Sequence, residues 1–266
     1  MEIISPFSME VNQFSDLNYH HLVYVGILGL CFGSFCHASA LRIMLNKDII
    51  FDKSRCDHCN KVLLWWHIIP VLGFILCFGR CHYCKERINF QNLTSELLVS
   101  ILFVLYFIHF DTEYFIFFSI FSSLLMICFI TDLNYMKLVL SVMLLIIIMG
   151  ILFNTFHNIN SFSSGLIFSV SGFLFGWILI FLINLIYFYY RKINGFGDGD
   201  KWLLGSIGSY LGVEQMLYIF IYSSILSAIF GIYILYINNS TIKTKVPFGA
   251  FICFVSFFMP LIAFYK

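Results

Sequence analysis

LVLSVMLLIIIMGILFNTFHNINSFSSGLIFSVSGFLFGWILIFLINLIYFYY, residues 138–190, contains no Asp, Glu, Lys or Arg. A membrane-spanning helix needs about 20 apolar residues, so the stretch is too long for one span. The polar tract Asn154-Thr155-Phe156-His157-Asn158-Ile159-Asn160-Ser161 divides it into two spans, 138–156 and 162–190. Working outward, further charge-free runs lie at 17–41, 97–110 and 114–131 on one side and at 202–213, 215–237 and 246–265 on the other. Run 202–213 is short, and Gly212-Val213-Glu214 reads as a tight turn into the next helix. The pattern predicts an all-α polytopic membrane protein with about eight transmembrane helices.

Composition agrees. Apolar residues make up 61% of the chain and charged residues 11%, against about 45–50% and about 25% in soluble domains. A net charge of +1 gives no footprint for nucleic acid. With alternating spans, every Lys and Arg except Lys266 falls on one side: Arg42 to Arg87, Lys137, Arg191 to Lys201, Lys243 and Lys245. The positive-inside rule makes that side cytoplasmic and puts both termini outside. Residues 1–16 carry Glu2, Glu10 and Asp16 and no basic segment, so the first apolar run is expected to be retained as a span.

Two acidic residues stand at cytoplasmic edges of spans. Asp132 ends one run in Ile130-Thr131-Asp132-Leu133-Asn134. Asp200 opens another in Asn194-Gly195-Phe196-Gly197-Asp198-Gly199-Asp200-Lys201. Carboxylates at membrane depth are costly and read as functional with a partner to be found. Alternate glycines give the second motif backbone freedom and allow close approach of another segment. Gly208 and Gly212 form a G-x-x-x-G pattern that could bring this span against the one ending at Asp132. Taken alone, Asp132 reads equally well as an interfacial residue or helix cap, and Asn184 as a contact between helices.

Residues 46–94 are the one sizeable hydrophilic segment, between the first and second spans. It carries Cys56-x2-Cys59 and Cys81-x2-Cys84. Two such pairs suit a tetrahedral zinc site, each knuckle supplying two thiolates. A loop this short buries little core, so a structural metal would supply its folding energy. Disulfides are the competing reading, disfavoured on a reducing cytoplasmic face, and His58 and His82 are the alternative ligands. Thr94 or Ser95 reads as the N-cap of the second span, with Glu96 in its first turn. In the first span, Gly33 and Ser34 permit close packing, and His37 reads as a histidine hydrogen-bonded within the bundle, with a proton relay or ligand as the alternative.

Taken together these residues resemble the type IV prepilin peptidase family of bacterial membrane aspartyl proteases. The likeness rests on Gly33-Ser34-Phe35 with Arg42, the two cysteine knuckles with Ile69-Pro70 and Gly79-Arg80, Glu96-Leu97, Asp132, and Gly197-Asp198-Gly199-Asp200. Departures include His37 where the family has Asn, Asp57 where it has Pro, Ile68 for Asn, Gln91-Asn92-Leu93 for Arg-Tyr-Pro, and Leu138-Val139 for Ile-Pro. Lys201 stands one place early. Asp198 also follows Gly-x-Gly, but counting eight and twelve residues from Asp200 reaches Gly208 and Gly212, which favours Asp200.

The resemblance implies that Asp132 and Asp200 are catalytic, with Gly197, Asp198, Gly199 and Lys201 supporting the motif. It implies structural zinc on Cys56, Cys59, Cys81 and Cys84. It further implies cleavage of type IV prepilins or pseudopilins after Gly on the cytoplasmic face of the bacterial inner membrane, then N-methylation from S-adenosylmethionine, with Gly79 and the zinc loop as the methyl-donor region. The expected organisation is 1–45 as N-terminal segment and first span, 46–94 as zinc loop, and 95–266 as protease core. Two other readings compete. One is a Gly-x-Gly-Asp protease of the presenilin kind, against which stand Thr131-Asp132 in place of Tyr-Asp and the cysteine loop. The other is a zinc-stapled scaffold or transporter, against which stands the lack of an internal repeat.

Overall fold

In a computed structural model of the chain, residues 19–49, 51–56, 58–157, 161–192, 195–238 and 246–263 are described. Lys243, Lys245 and Lys266, Asn158 and Asn160 of the polar tract, Asp57 and Asn194 lie outside them. Among the described residues the regular structure is helical: α1 (Tyr19–Met44), α2 (Leu72–Leu76), α3 (Phe90–His109), α4 (Thr112–Tyr135), α5 (Leu140–His157), α6 (Phe162–Arg191), α7 (Asp198–Asn238) and α8 (Phe248–Ala263). Six of these, α1 and α3–α7, are long and apolar enough to cross a membrane. α7 is bent at Gly212, where φ is 86°. The bend turns α7 into two helical arms, so with the shorter apolar α8 the described residues hold the eight apolar segments expected.

The described residues fall into two compact units, one ending at Ile127 and the other covering Cys128–Ala263. In the first, α1 and α3 cross at backbone contact. A Cβ on Gly29 would meet Ser100 Cα at 2.5 Å, and one on Gly33 would meet Glu96 Cα at 2.6 Å. Ser100 Oγ donates to Gly26 O at 2.8 Å. α3 begins earlier than its sequence indicated. Asn89 caps it by accepting from Gln91 N–H at 3.0 Å, while Thr94 and Ser95 bond back to Gln91 O and Asn92 O inside the helix. Glu96 is therefore in the second turn, and buried.

On α6, in the second unit, mostly small residues face inward and large apolar ones face outward. The buried positions of α6 are Gly165, Ser169, Gly172, Gly176 and Ile180, while Ile167, Phe168, Leu174, Phe175, Ile178 and Leu182 are exposed. Lipid is as apolar as Leu, so large side chains gain little by burial and association depends on close backbone packing. A Cβ on Gly172 would lie 2.0 Å from Gly208 O. The Gly208–Gly212 face thus packs on α6, not on the span that ends at Asp132. The bend at Gly212 removes helical partners from preceding carbonyls, and Asn154 Nδ2 of α5 donates to Ser209 O and Tyr210 O at 3.1 Å. The polar tract is in part a cap between helices.

Candidate active site

Asp132 lies in the last turn of α4 and Asp200 in the first turn of α7. Their exposures are 6% and 7%. Each carboxylate is held by a backbone N–H at the start of a helix. Asp200 Oδ2 accepts from Gly197 N–H, just before α7, at 3.0 Å, half of a capping box. Asp132 sits at the C-terminal end of its own helix, where the dipole disfavours an anion. It is compensated from elsewhere: its Oδ2 accepts Ala250 N–H, near the start of α8, at 2.7 Å.

The two carboxyls are close enough for the charge of Asp132 to act on Asp200. Leu138 sits between the two segments that hold them. A Cβ on Gly199 would meet Leu138 Cβ at 3.0 Å, and one on Gly249 would meet Leu138 Cδ1 at 3.1 Å and Asp132 Oδ2 at 3.0 Å. A side chain at 249 would crowd the Asp132 carboxylate and force it to shift. Cys128 and Cys253, both fully buried, flank the pair.

Three residues outside the expected site set hold this arrangement. Asn184 is more than a helix contact: its Nδ2 donates to Phe196 O at 3.1 Å and its Oδ1 accepts Phe196 N–H at 2.8 Å. This fixes the Gly195-Phe196-Gly197 loop. The Phe196 ring packs against Phe248 with centroids 4.7 Å apart, joining the loop before Asp200 to the helix start that holds Asp132. An Asn inside an apolar span was the available signal; for the two phenylalanines, among 33, there was none. Asp198 is placed apart. Its side chain is 84% exposed and pairs with Lys201 Nζ at 2.7 Å, and Lys201 also lies over the Trp177 ring at 5.6 Å.

In the first unit, Cys56, Cys59, Cys81 and Cys84 bring their sulfurs within 4.8 Å of one another and could hold a metal ion such as zinc. The two knuckles are built alike. Cys56 N–H donates to Lys61 O at 3.0 Å and Asn60 N–H to Cys56 O at 2.9 Å; Cys81 N–H donates to Glu86 O at 2.8 Å and Lys85 N–H to Cys81 O at 3.0 Å. Asn60 and Lys85 both take left-handed φ, 56° and 59°. Burial opposes ionisation of Cys81, but the N–H groups of Cys84 and Tyr83 and the adjoining thiols outweigh it and bring its pKa down to about 6. At Cys84, an exposed thiol, the Glu86 N–H favours the thiolate, yet desolvation and the three other sulfurs push it up to about 11. Four thiols converging on one point, with ionisation of one hindering another, form a donor set that a cation completes. His82 is not among the converging groups and instead meets Trp66 and Tyr83 edge to face and His67 at a tilt. Burial and the charge of His82 lower the pKa of His67.

Glu96 is not a simple first-turn charge. Its Oε2 accepts Val71 N–H at 2.8 Å, and it bonds Ser34 of α1. Val71, β-branched, has φ of 61°, a conformation such residues rarely take unless held. Glu96 lies at a cavity of about 730 Å³ lined also by Ser34, His37, Arg42, His67 and Arg80. Gly79 takes φ of 65° beneath the Phe74 ring in the turn that ends α2; its neighbour Arg80 lines the cavity.

The sequence pattern described as Bacterial Peptidase A24 N-terminal domain matches residues 27–110, and that of the Type IV leader peptidase family matches residues 119–232. The chain belongs to the type IV leader peptidase family. It is a multi-pass membrane enzyme of the peptidase class. Its relatives include proteins named prepilin leader peptidase/N-methyltransferase. One from Bacillus subtilis (strain 168) is 28% identical over 84% of this chain and 87% of its own length. One from Legionella pneumophila is 29% identical over 82% and 75%, and one from Vibrio cholerae serotype O1 26% over 80% and 86%. No solved structure gave a significant match.

Proposed function

We propose that the protein removes the leader from type IV prepilins or pseudopilins, cutting after Gly on the cytoplasmic face of the bacterial inner membrane, with Asp132 and Asp200 as the catalytic pair. The observation that carries this reading is the convergence of two buried carboxylates, each accepting a backbone N–H from a helix start, around Leu138. Among the described residues nothing comparable surrounds Asp198, which is exposed and paired with Lys201.

Two adjacent carboxylates in a poorly solvated site share a proton and titrate as a pair. The ionised member takes a proton from water as it attacks the scissile carbonyl. The protonated member donates a hydrogen bond to the carbonyl oxygen, which becomes the tetrahedral oxyanion. A proton then passes to the leaving amine as the C–N bond breaks, restoring the shared-proton state. The N–H donors from Gly197 to Asp200 and from Ala250 and Gly249 to Asp132 hold the two carboxyls in place for this chemistry.

The same reading includes methylation of the new N-terminus. S-adenosylmethionine would supply a methyl group from a sulfonium centre. The cavity at Glu96 fits its amino-acid end in chemistry: Arg42 and Arg80 can hold a carboxylate, and Glu96 an ammonium. A structural zinc on the four cysteines would fix the loop that forms this cavity.

The test co-expresses the chain with a prepilin and follows leader loss by mass spectrometry. Asp132→Asn and Asp200→Asn are expected to abolish cleavage at wild-type expression, while Asp198→Asn cleaves normally. Wild-type-rate cleavage by either of the first two variants refutes the assignment. In the same spectra, Glu96→Gln is expected to deplete the singly methylated product while the unmethylated mature chain persists.

A further inference from the structure

We infer that the apolar part of the cysteine loop, residues 64–78, is embedded in the bilayer surface beside α3, at the boundary between headgroups and hydrocarbon. Between Lys61 and Arg80 the loop has no charged residue. Trp65, at 77%, and Phe78, at 91%, are among the most exposed large side chains of the protein. On α2, Leu72, Ile75 and Leu76 share one face by their i, i+3, i+4 spacing, and all three are exposed. The opposite side of this short helix is the packed one. A Cβ on Gly73 would strike His67 O at 2.2 Å, and Phe74 packs against Phe90 with centroids 5.3 Å apart. The helix thus turns its protein-facing side to small and aromatic partners and its apolar face outward, the reverse of a loop folded in water. Contiguous exposed apolar patches of this kind mark an interaction surface.

Two ties set the depth of that surface. Phe74 touches Phe90, the first residue of α3, and Val71 N–H is held by Glu96. Glu96 is six residues farther along, about 9 Å at ~1.5 Å rise per residue. It directly precedes the charge-free run Leu97–Phe110. α2 is therefore pinned alongside the first turns of α3, level with the point where that helix becomes free of charge. At five residues α2 cannot span a membrane, but it can lie in the interface, where tryptophan concentrates. Lys61, exposed at the start of the segment, suits anionic headgroups. The occupant that fits is the bilayer the spans already traverse. This inference does not depend on the proteolytic reading.

The test places the photoreactive residue p-benzoylphenylalanine at Ile75 or Phe78 in the full chain, reconstituted in vesicles of phosphatidylethanolamine and phosphatidylglycerol. Irradiated protein is then analysed by mass spectrometry for lipid adducts. Substitution at Ile101, on the exposed face of α3, and at Lys53, exposed in the loop, provides the reference values. Adduct yields at Ile75 and Phe78 several-fold above Lys53 and close to Ile101 are expected. Yields no higher than at Lys53, or cross-links only to protein, overturn the proposal. A second measurement leaves Trp65 as the one tryptophan, with Trp66→Phe, Trp177→Phe and Trp202→Phe. Its fluorescence is expected to be quenched by brominated lipid and shielded from acrylamide; the opposite result also overturns the proposal.

Discussion

Asn184→Leu is the perturbation that best tests whether the site depends on the loop before Asp200. The substitution removes both hydrogen bonds to Phe196, at 3.1 and 2.8 Å, and strands a backbone N–H and C=O. Each such loss costs about 1 kcal/mol at a half-buried position, so the loop loses about 2 kcal/mol of restraint. Asp200 accepts its hydrogen bond from Gly197, the residue after Phe196, so the loosened loop carries one of its anchors. Misplacement of a catalytic group by ~1 Å costs on the order of 10²-fold in rate. Asn154→Leu is the matched control. It removes an amide that donates to Gly150 O, Ser169 Oγ, Ser209 O and Tyr210 O, of which the nearest to either aspartate along the chain is Ser209, more than two turns of α7 beyond Asp200. Purified variants would be compared for Tm and for kcat/KM on a prepilin peptide in detergent. Both should melt lower; only Asn184→Leu should lose about 10²-fold in kcat/KM per folded enzyme. Equal rates for Asn184→Leu and wild type, with its Tm lowered, would refute the reasoning and make Asn184 a packing residue.

Three further outcomes are expected. Gly249→Ala puts a methyl 3.0 Å from Asp132 Oδ2; it should lower kcat by about 10-fold or more with KM little changed, read by steady-state kinetics. Gly172→Leu should yield no folded protein, because even its Cβ would lie 2.0 Å from Gly208 O, whereas Gly26→Ala meets only ordinary contacts and should express normally; detergent-extracted yield and trypsin resistance separate the two. Zinc chelation, or Cys84→Ser, should open the cysteine loop to trypsin at Lys53, Lys61 and Arg80, because the loop has little core beyond its metal staple; limited proteolysis before and after zinc is restored checks this.

The sequence by itself determined the spans, the four cysteines and the two aspartates. Charge-free length is dictated by the bilayer and is legible residue by residue, as are ligand spacing and an acid beside an apolar run. The kink at Gly212 was legible too, because a short run followed by Gly-Val-Glu leaves few alternatives. What the tertiary structure decided was who meets whom. Gly208 and Gly212 carry a mark for close packing, but only the fold directs them to α6. Glu96 looked like a first-turn charge because Thr94 and Ser95 are good caps; Asn89 starts the helix earlier and frees Glu96 to hold Val71. Asn184, Phe196, Phe248 and Leu138 tie the aspartate segments together across long sequence separations, through contacts that no local pattern encodes. The apolar face of α2 was hidden within a loop that its cysteines and flanking charges made look hydrophilic. The physical reason is common to all of these. A membrane imposes its rule on each residue separately, whereas hydrogen bonds and ring contacts between helices are rules on pairs, and pairs exist only once the chain is folded.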